Sequence, residues 1–366
     1  MKVLHTSLIS LLLLVSWVIS AQEFENGAYH SVTGEPVEES VWMDAIMGEI
    51  DIFAPEKALP ITLESNFRQF ITRKNKDEYQ EALLHFPIFD TVVVKRIVRI
   101  KPRGEFRKNY CATPPIRLNM KKTDLDKYTL QRLNKMKMVV SCKGGKTSED
   151  LVLREYLVYK MYNVFTDLSF RARLLEVNFV DTGKKKNNEK MSYAFLIEEE
   201  KDVANRLGIL PLKVEHLRYS HIDEENMLRF ALFNYMVGNT DWSITKRHNM
   251  KLATTAEINS KGLVIPYDFD YSGVVGAGYA APDPQFGIKN VRQRVLRCPC
   301  YSDELFSDAI DKFISKKDQL LQVIQDFDYL SSTSKKDVTS YINQFYKTIE
   351  APSALKYLRN NCGAFL

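Results

Sequence analysis

The order of hydrophobic periods along the chain constrains its fold most. Before residue 200 the apolar residues recur mainly in short, strand-like runs; from Ser302 onward they recur at helical spacing. Thr91–Lys101 is rich in Val, Ile and Arg and reads as a strand ended by Pro102-Arg103-Gly104. Ile116–Lys121 alternates cleanly, with Arg117, Asn119 and Lys121 on the polar face. One helix interrupts these strands. Thr147-Ser148-Glu149-Asp150 offers caps and acids to a first turn, and Leu153, Leu157, Met161 and Val164 follow at helical spacing. Phe170–Val180 and Met191–Ile197 then read as a hairpin, with the acidic link Glu198–Glu200 after it. Strands followed by helices predict an α+β chain, with a sheet region at 46–200 and a helical region at 201–366.

The N-terminus predicts export. Met1-Lys2, the apolar run Leu8–Ile19 and Ser20-Ala21 have the form of a signal peptide spanning residues 1–21. That run is short for a bilayer span, which needs about 20 residues. A polar segment, 22–45, follows and is expected to be loosely structured. The formal charge of +5 is mild, with 27% of residues charged. The basic stretches Arg99–Lys108 and Arg292–Arg297 read as a solvated strand end and a substrate-facing loop, so no nucleic-acid partner is expected. Export permits disulfides. Of the five cysteines, Cys111 and Cys142 flank a segment able to fold back on itself and form the favoured pair; two buried thiols are the alternative. Cys298-Pro299-Cys300 is too tightly spaced for the usual zinc pattern.

Two stretches carry the chemistry. The helix Glu224–Val237 is followed by Gly238, suited to a left-handed stop, and then by Asp241 and Asn249. The strand Leu263–Pro266 leads into Asp268-Phe269-Asp270. Of the two carboxylates flanking Phe269, Asp268 is the choice for the site. Phosphoryl transfer needs such a set: a carboxylate to orient a hydroxyl, and oxygen ligands for Mg2+. No nucleophile elbow, dinucleotide fingerprint or Walker-type loop is present. His248 is expected to serve structure or substrate contact. The element order is also that of a two-lobed kinase-like fold: an N-terminal antiparallel sheet lobe with one helix, then a mostly helical C-terminal lobe.

Arg103-Gly104-Glu105-Phe106-Arg107-Lys108, Pro114-Pro115-Ile116-Arg117-Leu118 and Arg154-Glu155-Tyr156-Leu157, together with the two stretches above, resemble motifs of the spore-coat CotH family of atypical kinases. The resemblance covers about residues 92–275. It implies Asp241 as the catalytic aspartate, Asn249 and Asp268 as Mg2+ ligands, and Arg103 and Gly104 over the phosphates of ATP or another nucleotide. It implies Glu155 as the helix glutamate, Arg117 (or Lys121) as the basic nucleotide contact, and Glu198–Glu200 as a hinge. The acceptor would be a protein or cell-surface hydroxyl. Three positions depart from the family: Trp242 follows the aspartate, Asn249 comes eight residues after Asp241 at a longer gap than usual, and Glu105 stands in the phosphate loop. A non-catalytic binding protein of the envelope is the alternative function.

Overall fold

The computed structural model describes residues 52–54, 56–89, 92–120, 135–183, 188–214 and 216–366. The expected signal peptide at 1–21, the segment 22–45 and Lys121 lie outside the described residues. The chain divides into two compact units, one formed by the described residues up to Gly144 with Arg173–Leu196, the other by Gly145–Ala172 with Ile197–Leu366.

The first unit is a closed seven-stranded barrel. Its strands are β1 (Leu59–Ser65), β2 (Gln80–Phe89), β3 (Val92–Pro102), β4 (Ile116–Met120), β5 (Lys135–Val140), β6 (Ala172–Asp181) and β7 (Asn188–Ile197), arranged in the order β1-β2-β3-β4-β5-β7-β6. Two short helices, α1 (Phe67–Thr72) and α2 (Phe106–Tyr110), sit in the connections. Period-two alternation buries Ile61 and Leu63 on β1, Val98 and Ile100 on β3, and Ile116 and Leu118 on β4 in one core. Asn119, expected on a polar face, is buried as well.

This closed barrel overturns the expected two-lobed kinase-like fold with an N-terminal antiparallel sheet lobe. The ring closes through a parallel pairing of β1 with β6, in register from Leu59 opposite Leu175 to Ser65 opposite Asp181. Closure leaves no free sheet edge. Alternation reveals which face of a strand is buried, but not which distant strand will pair with it. Cys111 and Cys142 form a disulfide in this unit, with Cα atoms 4.7 Å apart, and the Thr113 N–H donates to the Cys142 carbonyl alongside it.

The second unit contains the helices α3 (Lys146–Phe165), α4 (Glu200–Leu207), α5 (Glu224–Val237), α6 (Asp303–Ser315), α7 (Lys317–Gln325), α8 (Ser332–Ile349) and α9 (Ala354–Asn361). A three-stranded sheet orders β10 (Leu263–Pro266), β9 (Met250–Thr254) and β8 (Leu210–Pro211). Helix α3 does not use the Thr147-Ser148 hydroxyls as its cap. It starts at Lys146, after Gly145 at φ +80° and ψ 162°, a conformation open to glycine but costly for other residues. Helix α5 keeps the expected span and Gly238 stops it at φ +69°; at its start the Asp223 carboxylate accepts the Asn226 N–H at 2.9 Å. Among the described residues no helix is long and apolar enough to cross a membrane.

Candidate functional site

Three elements of the second unit build the site. Helix α5 supports the loop carrying Asp241. Polar contacts continue past its end: the Asn234 amide donates to the Phe230 carbonyl, Asn239 Nδ2 donates to Asn234 Oδ1, and Asn239 Oδ1 accepts the Asp241 N–H at 3.1 Å. Asn234 and Asn239 are buried, so this chain satisfies groups that would be costly to leave unpaired.

The eight-residue gap between Asp241 and Asn249 is absorbed by a tight return. Ser243 and His248 pair as an antiparallel bridge, with the Ser243 N–H donating to the His248 carbonyl at 3.1 Å and the His248 N–H to the Ser243 carbonyl at 2.8 Å. Asn249 thereby reaches Asp241 again. Its Nδ2 donates to the Asp241 carbonyl at 2.7 Å and to the Asp241 carboxylate at 2.9 Å. Both partners are acceptors, so the amide orientation follows from chemistry and its Oδ1 is turned away from Asp241. Arg247 and Asn249 occupy left-handed backbone, at φ +52° and +51°. Such residues cost energy and cluster where function over-determines the geometry.

The antiparallel β9–β10 register delivers the third residue. Met250 lies opposite Pro266, and the Tyr267 N–H donates to the Asn249 carbonyl at 3.2 Å. Asp268 follows at φ +66°, with its N–H donating to the Tyr159 hydroxyl of α3 at 2.9 Å. Phe269 is fully buried, edge-on to Tyr159 at 5.0 Å and to Phe233 at 5.9 Å. Asp268 is thus held by its backbone and by its neighbour, and the residue is half-buried. Asp270 has a different environment: it is buried and accepts the Tyr279 hydroxyl at 2.9 Å. Arg154, beside Glu155 on α3, donates to the Val274 carbonyl at 3.2 Å, so α3 grips this turn at two points.

The electrostatics agree with this convergence. Burial raises the Asp241 carboxyl above the usual carboxylate range; His248 and Asn249 pull it down, and the Asp268 charge pushes it up. His248 Nε2 lies 3.1 Å from Asp241 Oδ1, with about half of the His248 side chain exposed. The Tyr271 hydroxyl is also raised, first by burial and then by Asp270, Asp241 and Asp268.

Asp241 and Asn249 therefore meet, and Asp268 follows the Tyr267 whose N–H bonds the Asn249 carbonyl, near enough for its charge to raise Asp241. Glu155 is buried in the same unit, on the helix that holds Asp268. Arg103, Gly104 and Arg117 belong to the barrel unit: the Arg103 N–H donates to the Pro115 carbonyl at 2.9 Å, Gly104 has φ +82°, and Arg117 pairs with Lys101 and Lys137 in the sheet. Glu198 is fully buried and clamped by Arg171 and Arg206 at 2.9 and 3.0 Å. His248, expected to serve structure or substrate contact, hydrogen-bonds the Asp241 carboxylate, whereas local sequence did not point to Tyr159 or to Arg297, which donates to the carbonyls on either side of Asp241. Tyr159 and Arg297 come from segments far from Asp241 in the chain, so no motif signals them.

Among the described residues no three His, Cys, Asp or Glu side chains group as a metal cage. Mg2+ needs no such cage, because it keeps waters and takes one or two protein oxygens with substrate phosphates. Asn249 Oδ1 and the Asp268 carboxylate are oxygen donors of the type that arrangement uses. No protein-family model matches this chain, and no curated protein matches it.

Proposed function

We propose that this chain is an exported phosphotransferase whose site is Asp241, Asn249 and Asp268. One observation carries the reading: the return through Ser243 and His248 brings Asn249 back onto Asp241 despite their long separation in sequence. Asp241 would accept the hydrogen bond of an attacking hydroxyl and orient it. Its raised affinity for a proton suits a group that must take one up. Asn249 Oδ1 and Asp268 would hold Mg2+, which supplies neutralisation of phosphate charge when bound. The donor would be ATP or another nucleotide, with Glu155 of the same unit as a proposed contact. The acceptor would be a protein or a cell-surface hydroxyl rather than a nucleic acid. Two disulfides, Cys111–Cys142 and Cys300–Cys362, support a location outside the reducing cytoplasm. Kinship with the CotH family is part of this proposal and rests on the shared motifs alone.

A second reading, a non-catalytic envelope binding protein, is favoured by one fact. Both carboxylate oxygens of Asp241 are already engaged, one by His248 and one by Asn249. Nucleotide binding and phosphotransfer separate the readings. Mg2+ with ATP should raise the melting temperature, because a ligand bound by the folded state stabilises it. Asn249→Ala and Asp268→Ala should abolish that shift, and Asp241→Asn should keep it while losing phosphotransfer to envelope proteins. No shift with any nucleoside triphosphate in the wild type rejects the phosphotransferase. A nucleotide shift without transfer supports the binding protein.

A further inference from the structure

We infer that Arg297 is the positioning residue of the Asp241 loop, and that the Cys362–Leu366 segment, tied down by the Cys300–Cys362 disulfide, holds Arg297 in place. The inference deepens the reading of Asp241 as the working carboxylate and rests on it for its functional meaning.

The geometry converges on one guanidinium. Arg297 Nη1 donates to the Thr240 carbonyl at 2.9 Å and also to the Trp242 carbonyl. These two residues flank Asp241, so one nitrogen grips the backbone on both sides of it. The guanidinium carbon lies 4.2 Å from the Trp242 ring and 5.0 Å from the Phe286 ring, and the side chain is buried. Trp242 is in turn packed edge-on against Phe230 of α5 at 4.9 Å. The planar fork of arginine makes parallel hydrogen bonds and ring stacking together; lysine, a point charge on a flexible stem, does not.

The rear of the same fork is also fixed. Arg297 Nε donates to the Phe365 carbonyl at 2.9 Å. Phe365 packs edge-on against Phe286 at 5.6 Å. The Gly363 N–H donates to the Cys298 carbonyl at 2.7 Å, and the disulfide joins Cys300 to Cys362. The segment therefore touches the irregular 297–300 stretch at three points and Phe286 at a fourth. The loop needs an external brace because it holds two left-handed residues, Arg247 and Asn249, whose conformations do not sustain themselves.

Hydrogen exchange tests this on the full chain. The loop amides of Trp242, Ser243, Arg247 and His248 all donate within the loop, so they report its closure. Arg297→Lys, which keeps the charge and loses the fork, should speed their exchange at least about tenfold while the barrel strands keep their protection. The Cys300→Ser/Cys362→Ser double variant should do the same without touching Arg297. Methylguanidinium added to Arg297→Ala should restore protection, which a role in packing alone would not produce. Unchanged loop exchange in both Arg297→Lys and the double variant overturns the inference, as does equal acceleration throughout the second unit. Faster loop exchange in a protein that binds no Mg2+–nucleotide upholds the positioning role and rejects the phosphotransferase reading.

Discussion

Gly238 and Gly273 bring the two motif stretches together, and Gly238→Ala measures how tightly. The Gly273 N–H donates to the Gly238 carbonyl at 3.0 Å, and the Val274 N–H to the Val237 carbonyl at 3.1 Å. These bonds join the end of α5 to the turn after Asp268. A Cβ at Gly238 would lie 2.1 Å from the Tyr341 hydroxyl and 3.2 Å from the adjoining ring carbon. It would also occupy left-handed backbone at φ +69°. The backbone contribution is about 1.5 kcal/mol. Forcing the hydroxyl aside adds about 2 kcal/mol, for a total near ~3.5 kcal/mol. Tyr341→Phe alone loses the hydroxyl bond to the Arg292 carbonyl, which costs about 1 kcal/mol. In the double variant the clashing oxygen is gone, so the cost should be about 2.5 kcal/mol rather than the additive ~4.5, a coupling of about 2 kcal/mol. Urea unfolding followed by fluorescence and by circular dichroism, with coincident transitions, gives each value. Additive costs in the double variant, or a Gly238→Ala cost below about 1 kcal/mol, would refute the stated packing of glycine against Tyr341.

Further outcomes follow from the same structure. Asp241 binds its proton more tightly folded than unfolded. It therefore lowers stability above its raised folded pKa, and that cost fades as pH falls through the raised value toward the ordinary carboxylate range. Asp241→Asn should then melt at an equal or higher temperature than wild type at pH 7, with the advantage vanishing in acid; a deficit at pH 7 that persists in acid contradicts this sign. Asp268→Asn removes a charge that raises Asp241, so the acid limb of any activity or of an Asp241 NMR titration should move to lower pH. Glu198→Gln leaves Arg171 and Arg206 facing a neutral amide; because both arginines keep partial solvent access, the expected loss is about 3 kcal/mol, at the lower end for a broken buried pair. Removing the Cys111–Cys142 bridge, which spans 31 residues, should cost about 3–4 kcal/mol by chain entropy, read as a lower urea midpoint.

Several features were legible in the residues. The α5 span and its glycine stop follow from spacing and backbone chemistry, and the structure reproduces them. The favoured Cys111–Cys142 pairing is present. The Cys300–Cys362 pairing was not foreseen, because it joins residues 62 apart whose approach depends on how α6 to α9 pack. Cys298 is the free, buried thiol among the described residues. The helix caps at Thr147-Ser148 were misplaced because Gly145 offers an earlier start.

By itself the sequence determined which faces are apolar, where helices stop, and which short polar stretches carry carboxylates and amides. These depend on neighbours within a turn or two, and the backbone obeys them locally. Tertiary structure alone decided the closed barrel, where Leu59 meets Leu175, and the return that seats Asn249 on Asp241. It also decided that Arg297 would grip the backbone around Asp241. The barrel pairing and the Arg297 contacts join residues distant in the chain, and the Asn249 return depends on a bridge that spacing alone does not specify. In each case the backbone groups of one segment are satisfied by whichever partner the whole packing presents, and no local period encodes that choice.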